Sequence, residues 1–105
     1  MATKTFREAR RALLQKGFKK DPKQTHHEYY YLYINDRITG IYTYLSHKSD
    51  GDDLGRNVIS GMKSQMKLQS NQQVLDFIAC SISYQRYLEI LEEDGNLPQV
   101  PEDDD

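Results

Sequence analysis

A chain of 105 residues, 37% hydrophobic and 29% charged, has room for one domain with a modest core and no need of covalent staples. Cys80 stands alone, which excludes an intramolecular disulfide. No apolar run reaches the length of a signal peptide or a membrane span, so a cytoplasmic protein with no membrane partner is expected. The formal net charge of -2 conceals a polarity: residues 4–23 carry eight Lys or Arg against Glu8 and Asp21, whereas residues 84–105 carry Arg86 against eight acids. The front of the chain therefore attracts polyanions and the back repels them.

Thr5-Phe6-Arg7-Glu8 has the spacing of a capping box and opens a predicted helix from Phe6 to about Lys16, stopped by Gly17. Phe6, Ala9, Leu13 and Leu14 mark its apolar side. Phe18 resumes apolar contacts, and Lys19 to Lys23 read as a polar connection with no strand evident. The Tyr-rich run from His26 to Ile34 predicts a strand, Asn35-Asp36-Arg37 a turn, and Ile38 to Ser46 a second strand of matching length. Apolar residues fall on both faces of this hairpin, so alternation does not fix the buried side. Ser49 to Asp53 reads as a loop whose acids cap a helix running to about Lys67. A second capping box, Ser70 to Gln73, opens a short helix, and Ser83 opens the last one, which ends near Gly95. The order α-β-β-α-α-α, with strands segregated from helices, predicts an α+β fold. Residues 1–95 form one domain in which the helices of 70–95 are an extension, and 96–105 is an acidic tail expected to be disordered.

Three histidines are the candidates for chemistry. His26 and His27 open the first strand, where neighbours point to opposite faces, so one of them is expected to function. An antiparallel hairpin returns His47 to the same end. RNA cleavage requires a 2′-hydroxyl to lose a proton and a 5′-oxygen to gain one, and imidazole can serve either step. His47 and His27 are candidates for the second proton transfer or a phosphate contact. The period-two register puts His26 on the face of Tyr30, Leu32 and Ile34. Arg7, Arg10, Arg11, Lys16, Lys19, Lys20, Lys23 and Lys48 form the electrostatic footprint for an RNA backbone. The acids near the histidines follow no metal-binding spacing, so no metal or cofactor is expected. The tyrosines read mainly as core aromatics, and Cys80 as a small buried residue.

Lys16-Gly17-Phe18, Thr25-His26-His27, Ser46-His47 and Asp53-Leu54-Gly55 together resemble the HicA family of toxin-antitoxin toxins. Residues 70–91 are similar to a C-terminal extension in one branch of that family. The resemblance covers about residues 5–93. It implies a double-stranded-RNA-binding-like fold, α-β-β(-β)-α with additional C-terminal helices. It further implies a metal-independent endoribonuclease acting on mRNA, His26 as the catalytic residue, and a HicB-like antitoxin as partner. Gln24-Thr25 stands where the family usually carries Gly-Ser. Two other functions fit the residues: a non-catalytic RNA-binding or protein-interaction module of the same fold, and an acidic mimic of nucleic acid built on the C-terminal end. A homo-oligomer is compatible with each.

Overall fold

The computed structural model describes residues 4–23, 25–79 and 81–98. Cys80 and the acidic residues 99–105 lie outside the described residues. The elements are α1 (Phe6–Gln15), β1 (Phe18–Lys20), β2 (Glu28–Ile34), β3 (Arg37–Leu45), α2 (Arg56–Gln65), α3 (Asn71–Ile78) and α4 (Tyr84–Glu93). The strands make one antiparallel sheet in the order β1-β2-β3.

The start of α1 is fully satisfied. Thr5 and Glu8 form the reciprocal capping box, with Thr5 N donating to Glu8 Oε1 at 3.0 Å and Glu8 N to Thr5 Oγ1 at 3.3 Å. The remaining first-turn donors are met by the acidic loop: Phe6 N donates to Asp52 O at 2.9 Å and Arg7 N to Asp50 O at 3.1 Å. That loop was expected to cap α2. It covers the head of α1 instead, and α2 begins three residues after Asp53 with Gly55 at its N-cap and no side-chain cap. Leu14 also departs from expectation, 56% exposed, while Ala12 fills the core-facing position.

Between α1 and the hairpin lies a strand that the lysines concealed. Phe18 is buried, and Lys19 and Lys20 pair with Tyr31 and Tyr30 along the edge of β2. Edge lysines discourage pairing with another chain, which explains why so short and charged a segment can be a strand. Gly17 makes the sharp entry possible, at φ +91. A Cβ there would sit 2.3 Å from Tyr84 Cε1, and the Tyr84 ring is held by a 3.0 Å hydrogen bond from its hydroxyl to Tyr33 O. Gly17→Ala is therefore expected to cost about 2–5 kcal/mol, combining left-handed strain with overpacking, as read by urea denaturation.

The β2–β3 turn is tighter than expected: Asn35 and Asp36 both adopt positive φ, 53 and 63, and Arg37 already belongs to β3. Two left-handed residues match the twist of a two-residue hairpin. β2 begins at Glu28, two residues later than the sequence suggests. Its even positions, Glu28, Tyr30 and Leu32, are buried with Thr39, Ile41, Thr43 and Leu45 of β3, whereas Tyr29, Tyr31, Tyr33, Tyr42 and Tyr44 face outward. An irregularity spans two residues on β2, Tyr31 to Tyr33, against four on β3, Tyr42 to Ile38, which preserves the two faces.

Helices cover the inner face. Phe18, Phe77 and Tyr87 pack with ring centroids 5.4–6.1 Å apart, so the helices after residue 70 share the core of the sheet. Ser70 and Ser83 cap α3 and α4 by accepting from Gln73 N and Arg86 N. The Gln73 carboxamide completes no box, because it accepts from Gln69 N at 2.6 Å. Gln65 of α2 blunts the free edge of β3, its Oε1 accepting from Thr43 Oγ1 at 2.6 Å and Tyr44 N at 3.3 Å.

Candidate functional site

Antiparallel pairing gathers the β1–β2 loop, the loop after β3, and the head of α1 at one end of the sheet. The residue that organises this end is Glu28. It occupies the first inward position of β2, beneath α1, and Arg10 meets it with a fork of two hydrogen bonds, Nε to Oε1 at 2.8 Å and Nη2 to Oε2 at 3.1 Å. Arg10 also donates from Nη1 to Asp50 Oδ1 at 2.7 Å and from Nη2 to Lys48 O at 2.6 Å. The Tyr30 hydroxyl donates to Glu28 Oε1 at 2.9 Å. Burial pushes the Glu28 carboxyl up. The hydrogen bonds from Arg10 and Tyr30 and the charges of Arg10 and Lys20 outweigh that, leaving it below its ordinary value.

His47 leans on this network. Its Nδ1 lies 3.4 Å from Glu28 Oε2, and its Nε2 lies 3.0 Å from the carbonyl oxygen of Thr25. The ring is thus oriented from both sides, Nδ1 toward a carboxylate oxygen and Nε2 toward a carbonyl oxygen. The contact with Thr25 anchors His47 one residue from His26, the convergence expected of the hairpin. His26 itself is exposed in the bend before β2. The face that the register gave it, shared with Tyr30 and Leu32, is the buried one, but the strand starts too late to carry His26 into it, and Glu28 takes the buried place.

His27 points the other way. Its ring stacks on Tyr44, with centroids 5.2 Å apart and planes inclined by 23°. It lines a cleft of about 210 Å³ between β3 and α2, with Ser46, Asn57, Gly61 and Gln65 on the other walls. Its Nδ1 is buried without a hydrogen-bond partner.

No family model, characterised protein or solved structure matches this chain.

The predicted cations divide. Arg7, Arg11, Lys19, Lys20, Lys23 and Lys48 are exposed. Arg10, counted among the phosphate contacts, turns inward, its side chain 16% exposed and committed to Glu28 and the following loop. Lys16, counted on the same basic face, is buried: its ammonium donates to Phe77 O and Ile82 O and sits 4.8 Å from the centre of the Phe77 ring. Among the described residues no group of three or more His, Cys, Asp or Glu side chains converges to hold a metal ion, and no helix is long and apolar enough to cross a membrane. The idea of an acidic mimic rests on residues of which 99–105 lie outside the described residues.

Two features of the site escape the sequence reading. Glu28 gives no sign that it is an orienting group, since a glutamate heading a tyrosine strand looks solvated. The outward tyrosines were assigned to the core, yet only Tyr30 and Tyr87 are fully buried. Alternation groups Tyr29, Tyr31 and Tyr33 on one face, and Tyr42 and Tyr44 likewise, without saying which face meets water.

Proposed function

We propose that this chain is a HicA-like endoribonuclease that cleaves mRNA by histidine proton transfer, without a metal, and is neutralised by a HicB-like antitoxin that covers the histidine end. The observation that carries this reading is the pairing of an exposed His26 with an oriented His47, joined through Thr25. The order α1-β1-β2-β3-α2 agrees with a double-stranded-RNA-binding-like domain, and β1 supplies the third strand that such a fold requires. In this reading neutral His26 takes the proton of the 2′-hydroxyl, and the 2′-oxygen attacks the adjacent phosphorus. The bond from phosphorus to the 5′-oxygen breaks, and the departing oxygen receives a proton from His47. The products are a 2′,3′-cyclic phosphate and a free 5′-hydroxyl. Exposed Lys23 and Lys48, on the two loops that carry the histidines, hold the phosphates.

The test is cleavage of a single-stranded RNA by the purified chain in excess chelator. Fragments ending in a 2′,3′-cyclic phosphate are expected. Intact RNA, or fragments with a 5′-phosphate, would overturn the reading. The second reading keeps RNA and drops the chemistry: no side chain among the described residues hydrogen-bonds His26, whereas a general base is ordinarily held by a neighbouring group. Salt-dependent RNA binding with no cleavage would favour it.

A further inference from the structure

The outward face of the sheet is a continuous run of rings. His27 stacks on Tyr44 at 5.2 Å, and tilted contacts continue the run from Tyr44 to Tyr29 at 5.2 Å, Tyr29 to Tyr42 at 5.9 Å and Tyr42 to Tyr31 at 5.7 Å, the planes inclined by 23–35°. Tyr33 continues the face beneath the Lys19 ammonium, 4.5 Å from the ring centre. Lys19, Lys20 and Lys23 border a depression of about 240 Å³ floored by Tyr31, Tyr33 and Ile38, with Asp21 the one acid on its rim. At the outward positions of the three strands there is no carboxylate. Tyr42 and Tyr44 are 38% and 37% exposed.

Cross-strand tyrosine pairs steady any sheet, but β-branched residues would do so as well, and a domain whose core lies on the opposite face has no need of five outward phenols, three half-buried and two exposed. A contiguous exposed aromatic patch marks a surface that binds something. We infer that this face is a stacking platform for single-stranded RNA. This rests on the RNA reading above and names the form of RNA that site would take. Unpaired bases present flat π-surfaces to tyrosine, and the lysines along β1 and the β1–β2 loop match the phosphates in charge. Duplex RNA keeps its bases stacked inside and offers only backbone and groove edges, for which a tyrosine face has no use. The run of rings ends at His27, one residue from His26, so a strand laid along it arrives at the proton-transfer end.

The experiment uses the full chain and a labelled 2′-O-methyl oligoribonucleotide of about twelve nucleotides, single-stranded and as a duplex. That probe lacks the attacking hydroxyl, so binding is read apart from cleavage. The single strand is expected to bind more tightly than the duplex. Tyr42→Val and Tyr44→Val should each weaken it by roughly fivefold to a hundredfold, as loss of a stacked base predicts. Gly40→Glu tests the face without disturbing packing, because a Cβ at Gly40 meets nothing within 4 Å. It should weaken binding while Gly40→Ala does not. Wild-type affinity in all three variants, a preference for the duplex, or a dimer that these substitutions dissociate would overturn the platform. If ordinary RNA is cut while the tyrosine variants bind normally, the platform fails and the nuclease stands. If the probe binds through the tyrosines and ordinary RNA stays intact, the nuclease fails and the platform stands.

Discussion

Arg10→Met is expected to destabilise the domain by about 3–5 kcal/mol, because it strips the partner from a carboxylate that cannot return to water. Glu28 has a side chain 9% exposed, and Arg10 supplies two of the hydrogen bonds to it. The same guanidinium ties down Asp50 and the Lys48 carbonyl, so the loop after β3 loosens with it. For a domain of this size the loss is a fall of more than about 10 °C in Tm. Replacing both partners, as in Arg10→Met with Glu28→Leu, should recover part of that loss, since a paired buried charge stabilises little over a packed apolar pair. The pH dependence has a definite sign. The folded Glu28 carboxyl lies below the ordinary 4.5, so the unfolded chain binds its proton first as pH falls. The stabilisation is complete above about 4.5 and is lost as pH drops through the folded value. Arg10→Met should flatten the acid side of the stability curve as well as lower it. A variant as stable as wild type at neutral pH, with an unchanged acid slope, would show that the pair is ornamental.

That network also shows where reading a sequence stops. The helices were legible because their signals are local: Thr5 and Glu8, Ser70 and Ser83, and Gly17 act within a few residues of themselves. The hairpin was legible from Tyr and Ile density, and its return of His47 to the first strand followed from antiparallel geometry alone. What failed depends on distant partners. β1 is a strand only because β2 offers it an edge, and nothing in Phe18-Lys19-Lys20 announces that. Asp50 and Asp52 look like helix caps, and they do cap, but they cap α1, more than forty residues upstream, with their backbone carbonyls.

Charge misled for a related reason. Lys16 and Arg10 sit in a basic segment and were counted with the solvated face, yet each reaches acceptors brought in by remote segments, the carbonyls of Phe77 and Ile82 for one and Glu28 for the other. Long cationic side chains travel from a helix face into its flank, so spacing on a helical wheel does not decide their exposure. The tyrosine face shows the converse. Strict alternation separated two sets of rings, and only the helix layer, packed on the side of Tyr30 and Leu32, determined which set met water.

His26→Ala is expected to lower the rate of RNA cleavage by about 10²–10⁴-fold, the ordinary worth of a positioned acid or base, with Tm unchanged because the residue is exposed. His47→Ala should fall in the same range, yet differ in kind. If His26 is the base and His47 the acid, the wild-type profile of rate against pH is bell-shaped, falling on the acid side as the base becomes protonated and on the alkaline side as the acid loses its proton. Removing His26 then abolishes the acid limb, and removing His47 abolishes the alkaline one. His26 and His47 meet through a single carbonyl, that of Thr25, and their contributions should therefore be non-additive: the double variant is expected to cut little more slowly than either single one. Full activity in His26→Ala would remove the basis for assigning it a proton. A pair of limbs that both vanish with His47 alone would move the whole chemistry onto the histidine that Glu28 holds.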